Sequence, residues 1–295
     1  MMADEELRSR RDGQGGTGRR GRPLRGRGHP KPEEPEPPSF RMIDAHCHLD
    51  HMAGAEGLAD EMAARGIGIC CATVVPDDFH AARERFKGRA NVCVGAGLHP
   101  WWLDDGRCDG DDVDKLVLAI AQAPFVAEVG LDFGRKHEGS QAAQLEAFEA
   151  VARTCAEHPR PGRVLSIHAV RSANDALDIL ERYDLTRQAA CIFHWFSGTS
   201  EELARARRLG CWFSINEHML KTKRGREYAR IIEEDRLLLE TDAPPAFDEP
   251  YAADEWERSL TAALEGVAAA RGADPTQLGE RIAATGNELF SACFR

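Results

Sequence analysis

From residue 41 onward, eight short apolar runs alternate with segments of helical periodicity, and few folds can absorb such a pattern. The runs are Met42–Ala45, Gly68–Val75, Asn91–Leu98, Phe125–Leu131, Val164–His168, Cys191–Trp195, Cys211–Ile215 and Leu237–Glu240. They are apolar on both faces, as parallel strands covered by helices should be. Between them, Leu145, Phe148, Ala152 and Cys155 mark one face of a helix expected over Gln141–His158. Ser172 with Asp175 has the pattern of a capping box ahead of Ala176–Tyr183, and Thr199 with Glu202 repeats it before Leu203, Ala206 and Leu209. Gly210 then fits the stop position. Eight β/α units in about 250 residues is the size of a closed (β/α)8 barrel, the TIM-barrel form of the α/β class. A doubly wound open sheet would show the same local alternation.

Closure is favoured by where the chemically capable residues fall. His46 and His48 follow the first run, and in an extended segment side chains two apart point the same way. Glu128, His168, His194 and Asp242 are placed at the ends of the fourth, fifth, sixth and eighth runs. An open sheet would string these along an edge, whereas a barrel gathers them around one mouth. Taken singly, Glu128 reads equally as a strand-end salt bridge and His168 as a hydrogen-bonded core histidine. Together they offer four imidazoles and two carboxylates, too many for one catalytic ion, which usually takes three or four protein ligands. Two divalent ions about 4 Å apart with a bridging carboxylate would use all six, an arrangement suited to attack of water on a phosphodiester.

Composition narrows the classes. In 295 residues, 42% hydrophobic content supports a sizeable core. There is no run of about 18 apolar residues, so no membrane partner is expected. The net charge of -11 argues against a dedicated nucleic-acid coat, though not against an enzyme that meets phosphates through metal ions. Nine cysteines, an odd number without regular spacing, do not form a disulfide pattern, and a reducing cytoplasmic setting is expected. Residues 1–41 are expected to be a disordered extension, rich in Gly, Pro and Arg and without apolar periodicity, ahead of a barrel over 42–295. Two readings of that extension stand side by side: a basic arm holding nucleic acid, or a passive tail, with Met42 as an alternative start of translation.

Several blocks carry a resemblance: Ile43-Asp44-Ala45-His46-Cys47-His48-Leu49-Asp50, Gly97-Leu98-His99-Pro100, Glu128-Val129-Gly130-Leu131-Asp132, Ile167-His168, His194-Trp195-Phe196-Ser197-Gly198, Leu239-Glu240-Thr241-Asp242-Ala243-Pro244 and Thr285-Gly286-Asn287-Glu288-Leu289-Phe290. In this order the chain resembles the TatD family of metal-dependent deoxyribonucleases over residues 43–290. The resemblance implies a TIM barrel, two divalent ions (Mg, Mn or Zn), and DNA as substrate, often cut from its 3′ end. It implies His46, His48, Glu128, His168, His194 and Asp242 as metal ligands, with Glu128 bridging and Asp242 also orienting or deprotonating the attacking water. His99 belongs to a family block and is not read as a ligand. The His194–Gly198 and Gly210–Asn216 blocks look similar to the QatD-like branch of anti-phage operons.

The chain also departs from the family pattern. The family's Arg, usually two residues past the fifth-strand His, is here Arg171, one step later. An aromatic pair common after the Gly-Leu-Asp triplet is replaced by Phe133-Gly134. Arg171 is a candidate phosphate contact through its two-pronged guanidinium. Trp101, after the third strand, could stack a base or simply pack, and Lys221, with Lys223, Arg224 and Arg226, could guide a phosphate backbone or be an ordinary solvated face. Two rival readings remain. One is an amidohydrolase-type barrel acting on an amide, lactone or phosphotriester, which often bridges its metals with a carbamylated Lys at the fourth strand; here Glu128 stands there and the nearest Lys is Lys136. The other is a non-catalytic nucleic-acid-binding barrel, which would typically have lost ligands.

Overall fold

The computed structural model describes residues 37–294. All eight expected strands form: β1 (Met42–Cys47), β2 (Ile67–Ala72), β3 (Val92–Gly95), β4 (Phe125–Asp132), β5 (Val164–Val170), β6 (Ala190–His194), β7 (Trp212–Ile215) and β8 (Leu237–Leu239). Every pairing is parallel, in the orders β1-β2-β3 and β4-β5-β6-β7-β8. A parallel bridge between Ala96 and Val126 joins the two groups. On the other side Asp242 N–H donates to His46 O at 3.0 Å and His48 N–H to Ala243 O at 2.7 Å, which brings the chain after β8 against β1. The ring closes as a (β/α)8 barrel. β1, β2 and β4 are buried along their whole length, which is why their sequences are apolar without alternation.

The helical expectations hold with one exception. The helix Gln141–Glu157 buries Phe148, Val151, Ala152 and Cys155. Thr199 and Glu202 form their reciprocal cap, and Gly210 takes φ +79° just past the helix Ser200–Arg208. Ser172 precedes the helix Ala173–Arg182, but its side chain makes no cap. Its hydroxyl donates instead to Leu131 O at 2.8 Å, tying the helix entrance to β4. All nine cysteines are buried and unpaired. Among the described residues no helix is long and apolar enough to cross a membrane.

The boundary at residue 41 needs correction. Residues 1–36 of the expected extension lie outside the described residues, but Phe40 and Arg41 are integral to the fold. Phe40 is 8% exposed and packs edge-on against Phe294 with ring centroids 4.9 Å apart. Asn287 clasps its backbone, accepting from Phe40 N–H at 2.8 Å and donating to Phe40 O at 2.7 Å. Arg41 N–H donates to Gly66 O, and its guanidinium pairs with Glu257. The sequence misled because one aromatic beside a Pro-rich stretch has no periodicity; its partners are more than 240 residues away. Phe40→Ala is expected to cost about 3 kcal/mol, as buried aromatic truncations do, read as a lower urea midpoint at unchanged slope.

Candidate metal centre

The barrel's C-terminal mouth holds a cavity of about 720 Å³, and Glu128 stands at its base, 1% exposed. Five imidazoles converge on its carboxylate. Oε2 lies 3.5 Å from His46 Nε2 and 3.6 Å from His48 Nε2. Oε1 lies 2.7 Å from His194 Nε2, 2.9 Å from His168 Nδ1 and 3.4 Å from His99 Nε2. Asp242 Oδ1 completes the first side, 3.3 Å from His48 Nε2 and 3.7 Å from His46 Nε2. All six residues singled out from the sequence therefore meet at one place. Glu128 and His168, however, sit inside their strands: β4 runs on to Asp132 and β5 to Val170, with a register shift between Val126 and Val129 beside Glu128.

Local structure explains the aim of each side chain. His48 Nδ1–H donates to Ala72 O at 2.7 Å and His46 Nδ1 pairs with Ser166 Oγ at 2.7 Å, so both rings present Nε2 to the cavity. His168 Nε2 meets Asp132 Oδ2 at 3.1 Å, turning Nδ1 toward Glu128. Asp242 has φ +58°, a left-handed conformation that Asp tolerates better than most residues. Asp44, fully buried, anchors that bend: Oδ1 accepts from Thr241 N–H at 3.0 Å, and Oδ2 accepts from Trp256 Nε1 at 2.6 Å and Thr241 Oγ1 at 2.5 Å. Two glycines permit the close approach of strands. A Cβ on Gly97 would lie 1.9 Å from Thr73 O and 2.2 Å from Glu128 N, and one on Gly130, at φ +141°, 2.1 Å from His168 O.

Sequence reasoning passed over four residues that matter here. His99 Nδ1 accepts from Trp101 N–H at 3.1 Å, so a neutral His99 carries its proton on Nε2, facing Glu128. It is a donor at the site, and with Glu128 and His168 it also offers an atom close enough for the three to group around an ion. Asp132 orients His168 and accepts from Trp101 Nε1 at 2.7 Å. Glu240 accepts from Trp195 N–H at 3.0 Å and Asn216 Nδ2 at 2.9 Å, and is close-bonded to Ser214. Asp44 is the fourth. Each stood in a block already quoted, but nothing local distinguishes a supporting carboxylate from a reacting one.

Of the substrate candidates, Trp101 reaches the cavity, 40% exposed. Arg171 faces a neighbouring surface recess with Arg135 and Lys136 rather than the cavity itself. Lys221 stands outside, its ammonium on His218 Nδ1 at 2.7 Å, and His218 is the residue that lines the cavity.

The electrostatics fit a divalent ion. His46 Nε2 is buried with no hydrogen-bond partner, and the 3.3–3.7 Å separations between imidazole nitrogens and carboxylate oxygens on the first side suit donors grouped around a cation. Burial would raise Glu128, but the facing imidazoles of His99, His194 and His46 hold it well below the usual carboxylate range. Asp242, also opposed by burial, is lowered by its bond to His48. Burial lowers His46 to about 4, whereas in His48 and His168 the facing carboxylates overcome burial and raise both to about 9. Imidazole and carboxylate donors together suit Zn²⁺ or Mn²⁺.

A parallel barrel with buried histidines and carboxylates at its C-terminal mouth defines a metal-dependent hydrolase of the TIM-barrel type. The chain belongs to the TatD related DNase family, whose profile matches residues 43–291. It is 30% identical over 203 residues to the 3'-5' ssDNA/RNA exonuclease TatD of Citrobacter rodentium, covering 66% of this chain and 75% of that one. It is 32% identical over 220 residues to the deoxyribonuclease Tat-D of Schizosaccharomyces pombe, covering 70% and 69%. In structure it is similar to the TatD homologue YjjV of Escherichia coli K12, with a TM-score of 0.70 at 22% identity over 84% of this chain and 97% of that one.

Asp44→Ala would strand the donors of Thr241 and Trp256 in the core. A loss of about 3 kcal/mol is expected, since a buried unpaired polar group costs roughly 1–3 kcal/mol, and thermal melts followed by circular dichroism would read it.

Proposed function

We propose that this chain hydrolyses DNA phosphodiester bonds with two divalent ions held on either side of Glu128. The observation that carries the proposal is the division of that carboxylate: Oε2 faces His46 and His48, Oε1 faces His168 and His194. His46, His48, Asp242 and Oε2 of Glu128 would hold one ion; His168, His194 and Oε1 would hold the other. Ions in such a site supply Lewis acidity toward a phosphoryl oxygen and offset its charge.

The chain's own groups do the rest. Asp242, kept ionised beside His48, orients the attacking water and accepts its proton. The new P–O bond forms from that water, and the P–O bond to the departing sugar oxygen breaks. His99 Nε2–H and the Asp132-oriented His168 keep the carboxylate of Glu128 fixed. Trp101, Trp195 and Phe247, three of the four exposed large apolar side chains among the described residues, all line the cavity. One face of each is stacked on a histidine, His137, His218 and His51 respectively, which leaves the other for an unstacked base, a contact worth about 1–3 kcal/mol. The names of the Citrobacter and fission-yeast relatives, an ssDNA/RNA exonuclease and a deoxyribonuclease, support a nucleic-acid substrate.

Two measurements test this reading. Elemental analysis after reconstitution should find close to two ions bound at this centre, fewer in the His46→Ala/His48→Ala double variant; a centre that binds none ends the proposal. Asp242→Asn keeps shape and removes charge, so turnover on end-labelled single-stranded DNA should fall roughly a hundredfold or more, the usual worth of a general base. Glu128→Gln should lose turnover and retain its ions poorly, with partial rescue at high Mn²⁺, and EDTA should abolish cleavage. Cleavage intact in Asp242→Asn but sensitive to EDTA would remove Asp242 from the role of base.

A further inference from the structure

Two buried polar atoms outside the centre have no partner and face each other. The Asp50 side chain is only 8% exposed; its Oδ1 accepts weakly from Cys71 Sγ at 3.3 Å, while Oδ2 has no hydrogen-bond partner. His51 Nε2 is likewise buried and unpartnered, 3.6 Å from Asp50 Oδ2. Asp78, in the first turn of the helix Pro76–Arg85, brings Oδ2 to 4.0 Å from the same nitrogen. One donor atom from each of the three residues falls within 4.8 Å of the others. Two carboxylates held together with one imidazole repel each other, and burial followed by the charge of Asp50 pushes Asp78 up from its ordinary value. Arg85 directs its hydrogen bonds to Glu56 and to the backbone carbonyl of Asp50, and none to the carboxylates of Asp50 or Asp78.

We propose that Asp50, His51 and Asp78 form a further divalent-cation site on the rim of the barrel mouth, distinct from the centre at Glu128. A mixed oxygen and nitrogen donor set suits Zn²⁺ or Mn²⁺ better than Mg²⁺ or Ca²⁺, and three protein ligands leave further positions for water. Such an ion joins the segment after β1 to the helix after β2. Its placement also bears on the cavity, because His51 stacks flat on Phe247 at 4.0 Å and its carbonyl accepts from Asp248 N–H at 2.8 Å. Phe247 is a cavity wall and packs 5.6 Å from His48. Holding His51 therefore holds one wall of the substrate cavity.

The test compares Zn²⁺ and Mn²⁺ stoichiometry, by equilibrium dialysis and elemental analysis, for the full chain and four folded variants. Asp78→Ala removes a ligand whose side chain is 39% exposed, so folding should survive, and circular dichroism checks it. His51→Gln is the second route to the same loss. Asp77→Ala removes the same charge one residue away, from a side chain that pairs with Lys115. The expected result is one ion fewer per chain, or at least tenfold weaker retention of one ion, in Asp78→Ala and His51→Gln, and an unchanged count in Asp77→Ala. Asp242→Asn should keep the ion that depends on Asp78, so failure here and failure of the centre at Glu128 are read separately. Equal counts in the wild type and Asp78→Ala would overturn the site. An equal loss in Asp77→Ala would overturn it as well, since general charge attraction would then be responsible.

Discussion

The mouth of this barrel depends on one buried negative charge. Glu128 brings a carboxylate to a position 1% exposed, and a carboxylate taken out of water is costly unless it is compensated from close by. Five imidazoles from four β/α units surround it within 3.6 Å. Neutral imidazoles compensate a charge poorly, and protonated ones repel each other: His46 and His194 stack with centroids 3.9 Å apart. A divalent cation resolves both difficulties, attracting the carboxylate and coordinating the nitrogens that have no proton to share. The crowding that would be a liability in a structural core is what fits the site to metal.

Around that charge stands a set of carboxylates that do not line the cavity. Asp132 turns His168, Glu240 supports the backbone at Trp195, and Asp44 fastens Thr241 beside Asp242. Burial raises Asp44 to about 6 and pushes Glu240 well above the usual range, while Asp132, tied to His168 and Trp101, stays low at about 2. The difference follows the partners. Asp132 meets a histidine that can carry charge, whereas Asp44 and Glu240 meet mainly neutral donors. Such orienting groups commonly matter to metal affinity nearly as much as the ligands they hold.

The fold explains why these groups can converge. In a closed parallel barrel, each strand end points into the same mouth, and the chain after β8 lies against β1 through the bonds of Asp242 and His48 to His46 and Ala243. First and last functional segments, nearly 200 residues apart, are thus neighbours by construction. Gly97 and Gly130 set how near the strands come, since a side chain at either would collide with backbone of the next strand.

Much of this was legible in the residues alone. Strand and helix alternation reports burial on both faces, a local property, so all eight strands were visible; so were the six residues converging on the mouth, because ligand chemistry restricts them to His, Asp and Glu. Three things were not. The fold includes Phe40, whose burial depends on Phe294 and Asn287 at the other end of the chain. Ser172 has the capping pattern but bonds Leu131, because a strand carbonyl lies within its reach once the barrel is closed. The sequence could equally not say that His99 donates while His168 presents Nδ1, nor that Lys221 stands outside the cavity and Arg171 beside it. Residue type determines what a side chain can do; which nitrogen it shows, and to whom, is decided only when distant strands close into one ring.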